Sequence, residues 1–195
     1  MTGVEFVRLG KRVQTEIGQR HRYAHTLRVA RMAVQLARRY GEDVERARVA
    51  GMLHDLARLY SDQRLLDESH ARGLWISTFD REHPRVLHAR LGAELAKERF
   101  GINDERILSA IRAHTLGNGS MTALDAIVYL ADSLEPEREF AERAELERLA
   151  FSDLHAAMRE TLRSTTAYHG ASGNSIAPET AAAIELFSHE EKQTA

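Results

Sequence analysis

Apolar residues recur every three or four positions along most of the chain, with polar residues between them, and that period predicts helices. Val4, Val7 and Ile17 mark a short N-terminal helix that stops at Gly18. His25, Val29, Met32 and Leu36 form the next stripe, and Gly41 is placed to end it. Asp43 predicts a cap for a helix with Ala47, Ala50, His54 and Ala57 on one face. Ser61 predicts the start of a short helix ending near Gly73, and the stretch from Leu74 to Glu82 reads as loop.

Pro84 suits the first turn of a helix carrying His88, Leu91 and Leu95 as far as Gly101. Asn103 or Asp104 caps a helix with Ile107, Ile111 and His114 on one face. Two glycines make Leu116 to Ser120 a loop. Thr122 and Asp125 have capping-box spacing before Leu124, Ile127, Val128 and Ala131, and Glu135-Pro136 closes that helix. Glu135 to Arg148 reads as a solvated helix face, and Ser152 as the cap of a helix running towards His169-Gly170. Ala171 to Ala177 reads as loop, Pro178 opens a last helix, and residues 189–195 form a frayed tail. With three prolines in 195 residues and few β-branched runs, the fold class is all-α, a helical bundle in one domain spanning 1–195.

Composition narrows the chemistry. The net charge is −2 and no large basic block is present, which argues against nucleic acid as the main partner. There is no cysteine, so a metal would have to be held by imidazole and carboxylate. The N-terminus lacks the pattern of a signal peptide and no apolar run reaches membrane-span length. The expected location is therefore the cytoplasm, away from the membrane.

One stretch stands against the helical background: Ala50-Gly-Met-Leu-His-Asp-Leu-Ala57 places His54 and Asp55 side by side among apolar residues. A buried carboxylate without a partner is costly, so such groups are paired or bind metal. A lone histidine on an apolar stripe is more often a satisfied core residue than a ligand. Here His25, His54, His88 and His114 fall on successive stripes, with Asp55 and Asp132 in apolar surroundings. Six such groups exceed what one ion needs. A carboxylate can bridge two ions, and Asp55 is the natural bridge. One ion would take His25, His54, Asp55 and Asp132; the second would take Asp55, His88 and His114, with open positions for water and substrate. The nitrogen and oxygen donors suit Fe, Mn, Zn or Co better than Ca or Mg. Paired ions can activate a water and clamp phosphoryl oxygens.

Longer motifs carry a resemblance. Arg22-Tyr-x-His25-Thr-Leu-x-Val-Ala, Ala-Gly-x-Leu-His54-Asp55, His88-Ala-x-Leu-Gly-Ala, Ile111-x-Ala-His114-Thr-x-Gly and Leu124-Asp-x-Ile-Val-Tyr-Leu-Ala-Asp132-x-Leu-Glu-Pro136 occur in order. Together they resemble the HD superfamily of metal-dependent phosphohydrolases. Within it they are similar to the YqeK type, the symmetrical bis(5′-nucleosyl)-tetraphosphatases. The likeness is dense from about Arg20 to Arg138, which makes about 20–138 the metal-binding core and 139–188 the C-terminal helices. It implies two divalent metal ions, iron first, and diadenosine tetraphosphate as a small-molecule substrate cut at an inner phosphate to give two ADP. It also makes a homodimer plausible.

The other readings kept open are an HD phosphohydrolase of nucleoside monophosphates or guanosine polyphosphates, and a non-catalytic di-metal helical module.

A polyphosphate needs cations. Arg22, three residues before His25, and Arg58, three after Asp55 where such motifs commonly have Lys, are the candidates. Asp55 and Arg58 are the residues expected to act in the reaction, Arg58 by stabilising charge on the leaving ADP. Thr115 is a candidate phosphate contact. Trp75 and Phe79 either stack on an adenine or anchor the mid-chain segment, and the anchor is the expected role. His83 is expected to cap a helix or lie at the surface. His21 is near a ligand without matching a motif position, and His70, His155, His169 and His189 are expected at the surface or in minor structural roles. Tyr168, Asn174 and Ser175 are possible linings of a nucleotide pocket.

Overall fold

Left-handed glycines punctuate the chain: Gly18, Gly41 and Gly101 each follow a helix at φ near +70°, a conformation other residues enter at a cost. The computed structural model describes residues 3–171 and 175–189. The helices are α1 (Gly3–Ile17), α2 (Arg20–Tyr40), α3 (Val44–Leu53), α4 (Asp62–Ala71), α5 (Thr78–Glu82), α6 (Leu87–Phe100), α7 (Glu105–Ala113), α8 (Ala123–Leu134), α9 (Arg143–Ala150), α10 (Leu154–Ala171) and α11 (Pro178–His189). A 3₁₀ turn at Pro84–Val86 leads into α6. No strand occurs among the described residues, so the all-α reading holds. No helix is long and apolar enough to cross a membrane.

The centre is made by α2, α3, α7 and α8, with α6 against α7 on one side and α9 to α11 stacked beyond α8. α2 and α3 cross so closely that a Cβ on Gly51 would lie 2.8 Å from the Ala30 Cα, so only glycine suits that crossing. Most capping devices expected from sequence are present. Asp43 accepts from the amides of Glu45 and Arg46, Ser61 from Arg64, and Asp104 from Arg106. Thr122 and Asp125 form a reciprocal capping box. The C-terminal tail and Asn174 lie outside the described residues, as do the side chains of His169 and His189.

Several boundaries differ from expectation. The stripe through Ala57 is not one helix. α3 stops at Leu53, and the chain continues through i→i+3 turns, with Arg58 N–H donating to Asp55 O at 3.0 Å and Tyr60 N–H to Ala57 O at 3.1 Å. The segment from Leu74 to Glu82 is not all loop. Ser77 and Asp80 form a capping box that starts α5. Asp153, not Ser152, starts α10, its carboxylate accepting from the Ala156 amide. The region around Arg148 is not only a solvated face, because α9 buries Leu146 and Ala150. Val7 is exposed and the Val4 side chain lies outside the described residues; among the described side chains the buried face of α1 is Leu9, Val13 and Ile17. Trp75 does not anchor its segment: it is 79% exposed.

Candidate metal centre

Six side chains from five parts of the chain converge between the central helices. His25 comes from α2, and His54 and Asp55 from the turns after α3. His88 stands in the first turn of α6, His114 just past α7, and Asp132 near the end of α8. All are buried except Asp132, which is partly open to solvent. Sequence reasoning named these six, and the fold brings all six together.

A local device aims three of the histidines. His54, His88 and His114 each place Nδ1 against the carbonyl three residues earlier: Gly51 O at 2.8 Å, Arg85 O at 2.5 Å and Ile111 O at 2.7 Å. A carbonyl only accepts, so Nδ1 carries the hydrogen and Nε2 keeps its lone pair. His25 is aimed in the same way by a carboxylate, its Nδ1 lying 3.0 Å from Glu135 Oε1. Four Nε2 lone pairs therefore point into one space.

That space is short of donors. The Nε2 atoms of His25 and His54 are buried without a hydrogen-bond partner among the described residues. His88 Nε2 and His114 Nε2 stand 3.1 Å apart, acceptor facing acceptor. The Thr115 hydroxyl, 3.2 Å and 3.1 Å from these two, has one hydrogen and can satisfy one of them. Buried acceptors without donors are what a cation relieves.

Asp55 sits at the junction. Its Oδ2 lies 3.7 Å from His25 Nε2 and 3.5 Å from His54 Nε2, while its Oδ1 lies 3.4 Å from His88 Nε2 and 3.9 Å from His114 Nε2. Asp132 Oδ1 completes the first half, 3.0 Å from His25 Nε2 and 3.7 Å from His54 Nε2. Ligand atoms each ~2.1 Å from one ion stand roughly 3–3.4 Å apart. The separations here run from 3.0 to 3.9 Å, at that range and somewhat above it, so a small inward adjustment of the side chains would let them hold two ions sharing Asp55.

The electrostatics agree. Burial pushes the Asp55 carboxyl up, but His54 and His88 beside it outweigh that and hold it well below the usual carboxylate range. Asp132 is likewise held low against burial by His25, His54 and Arg138. Burial, reinforced by His54 and His88, pushes His114 down to about 3, which leaves a neutral imidazole able to coordinate. Burial works against a charge on His54, yet Asp55 and Asp132 raise it, so a proton can take a cation's place there.

The supporting residues were harder to foresee. Glu135 was expected only to close its helix. It is buried, accepts from Arg28 Nε at 2.5 Å and orients His25. Burial opposes its charge, but the Arg28 hydrogen bond and the Glu137 amide outweigh that and bring Glu135 to about 2. Arg28, three residues after His25, and Arg138, which donates to Asp132 Oδ1 at 2.6 Å, are further supports outside the sequence motifs' ligand set. The spacing of Arg28 from His25 was the available signal.

The cation candidates separate. Arg22 Nη1 lies 3.0 Å from Asp55 Oδ2 and is tied to the centre. Arg58 lines a neighbouring cavity of about 420 Å³, and its side chain has no ion pair among the described residues. His88 and Thr115 form the inner wall of this cavity, so it opens on the His88 and His114 half of the centre. Phe79, Glu82, His83, Tyr129, Ser175 and Ile176 are among its other linings. The Phe79 and His83 rings meet at a tilt of 44°, their centroids 4.5 Å apart. Thus Phe79 and Ser175 face the cavity, whereas Trp75 and Tyr168 do not line it. His83 stands between α5 and the 3₁₀ turn, and its side chain makes no capping bond there.

Comparisons with known proteins follow the same lines. The model of the HD domain matches residues 22–137. The symmetrical bis(5′-nucleosyl)-tetraphosphatase of Bacillus subtilis is 34% identical over 160 residues, covering 82% of this chain and 86% of that protein. The protein of the same name from Halalkalibacterium halodurans is 34% identical over 177 residues, covering 88% and 91%. Among solved structures, an HD superfamily hydrolase from Clostridium acetobutylicum, described as involved in NAD metabolism, superposes with a TM-score of 0.90. It is 32% identical and is matched over 95% of this chain and 97% of its own.

Proposed function

The chain belongs to the HD domain family, and from that premise we propose that it hydrolyses diadenosine tetraphosphate symmetrically, releasing two ADP. The observation that carries the site assignment is Asp55: its two oxygens face separate groups of ligand atoms, and a cavity opens beside one of them. His25, His54, Asp55 and Asp132 would hold one ion, and Asp55, His88 and His114 the other. Divalent ions held there supply Lewis-acid charge and lower the pKa of water. The donor set of imidazole and carboxylate suits Fe, Mn, Co or Zn, and the family resemblance makes iron the first of these.

The chain's own groups act around the ions. The cavity takes one nucleoside arm, with Phe79 and His83 offering an aromatic face to the base. Arg58, without a carboxylate partner among the described residues, is placed to meet phosphate oxygens in that cavity. It can stabilise the charge that develops on the departing ADP. Thr115 can give its hydroxyl hydrogen to a phosphate when a cation relieves the two imidazoles. Arg22 holds Asp55 from outside and brings positive charge to the rim. A homodimer belongs to this reading and rests on the family resemblance, and a cytoplasmic location is the expectation carried over from the sequence pattern.

The test is anaerobic metal analysis paired with turnover of diadenosine tetraphosphate, the products being separated by chromatography. Two ADP per substrate, with a single oxygen-18 incorporated per turnover in labelled water, is the expected result. AMP and ATP as the main products, or turnover only of a nucleoside monophosphate, would overturn the substrate assignment.

A further inference from the structure

α5 is only five residues long, and a single turn of helix has almost no stability of its own. It nevertheless supplies Phe79 and Glu82 to the cavity, and His83 follows directly. Something outside the segment must hold that wall in place.

The ties converge on Asp80, the side chain of α5 that faces inward and is almost fully buried. Asp80 Oδ2 accepts from the Ser77 amide at 2.7 Å and from the Ser77 hydroxyl at 2.8 Å. Its other oxygen meets the Arg90 guanidinium, projected from α6. The same guanidinium donates through Nη1 to the Trp75 carbonyl at 3.0 Å. One arginine thus clamps both the approach to α5 and the helix itself. Neither Asp80 nor Arg90 lines the cavity or belongs to the metal cluster. The backbone on either side of the clamp, from Leu74 to Ser77 and at His83, is irregular; besides the clamp it is held by Leu74 and Ile76 packed against the core, by the Leu74 amide donating to Ser69 O and by the His83 amide donating to Phe79 O.

We infer that the Asp80–Arg90 pair is a positioning device for nucleotide binding: it holds the Phe79–His83 wall against α6, so the nucleoside meets a ready-made surface. The inference rests on the reading that this cavity takes a nucleoside arm. Because α6 also begins with His88, the clamp ties the nucleoside wall to the helix that carries a metal ligand. Binding to a preformed wall avoids the entropy of ordering it. The pair therefore acts on substrate affinity, and the metal centre does not depend on it.

Asp80→Asn is the near-isosteric test: the amide oxygen can still accept from Ser77, while its NH2 takes the place of the oxygen that meets Arg90 and breaks the ion pair. Arg90→Met removes the clamp, and Arg90→Lys restores its charge without the fork that reaches both partners. The expected result for Asp80→Asn and Arg90→Met is full metal content, kcat within about threefold of the parent and KM for diadenosine tetraphosphate raised on the order of tenfold. Arg90→Lys should fall between. A readout independent of turnover is available, because Trp75 is the chain's one tryptophan. Its fluorescence anisotropy should fall in the metal-loaded variants and recover on addition of ADP. An unchanged KM and anisotropy in Asp80→Asn would overturn the inference, as would loss of metal with a fallen kcat at constant KM. If Arg90→Met fails to fold, Asp80→Asn and Arg90→Lys decide. Failure of the parent protein to produce ADP would count against the functional reading, a result distinct from a parent that turns over and variants that match it.

Discussion

His88 Nε2 lies 3.1 Å from His114 Nε2, and each ring gives its Nδ1 hydrogen to the carbonyl three residues before it. Two lone pairs are thereby held face to face in a buried space, a strained arrangement without a cation. The expected consequence is that chelation destabilises the protein and that the metal-loaded form melts higher. At a free metal concentration 100 times Kd, the gain is about 2.7 kcal/mol per site.

The sharing of Asp55 predicts an asymmetry between variants. Asp55→Ala should lose both ions and nearly all activity, because its Oδ1 and Oδ2 face different groups of imidazoles. His88→Ala should lose one ion and keep the other, since His25, His54, Asp55 and Asp132 are untouched. Metal analysis of the two purified variants checks this. A full complement of metal in Asp55→Ala would remove the bridge.

Glu135 supports the centre from behind His25, with a consequence for metal affinity. Glu135→Gln can still accept from His25 Nδ1 but loses its charge pairing with Arg28. Replacing an outer partner of a ligating histidine typically costs 10–100-fold in metal affinity or activity. Competition with a metal-binding dye should show that weakening, while an equal affinity would make Glu135 a helix terminator alone.

The two arginines should separate kinetically. Arg58→Ala should retain both metals and raise KM or lower kcat about tenfold, since its guanidinium faces the cavity with no ion pair among the described residues. Arg22→Ala should also alter metal affinity, because Arg22 Nη1 lies 3.0 Å from Asp55 Oδ2. Metal titration beside steady-state kinetics distinguishes them, and identical behaviour of the two variants would contradict the geometry.

Tyr129 gives a pH dependence. Burial pushes its phenol up to about 12 from an ordinary value of 10.0, so the folded state holds the proton more tightly than the unfolded chain. The stabilising effect is complete below pH 10.0 and is lost as pH rises through about 12. A shift of that size corresponds to at most about 3 kcal/mol. Tyr129→Phe should flatten the alkaline limb of the stability curve measured by denaturant unfolding. An alkaline limb as steep as the parent's would show that Tyr129 does not cause it.

The sequence by itself determined the helices, their caps and the identity of the clustered side chains. Those signals are local: a period near 3.6, an oxygen side chain before a helix, a glycine after one, and histidine and aspartate set among apolar residues. Its failures have the same cause. The stripe through Ala57 kept a helical period across turns that replace the helix, because i→i+3 turns preserve roughly the same facing. α5 resembles loop in sequence because one turn has too little periodicity to register, and the ion pair that holds it joins residues ten apart. Only the tertiary structure decided that Asp55 turns one oxygen to each pair of imidazoles, that Glu135 reaches back across 110 residues to His25, and that Arg58 faces a cavity while Arg22 is held by Asp55. These depend on where separate helices cross, and the crossing is set by packing, such as the contact of Gly51 with Ala30, which no local pattern encodes.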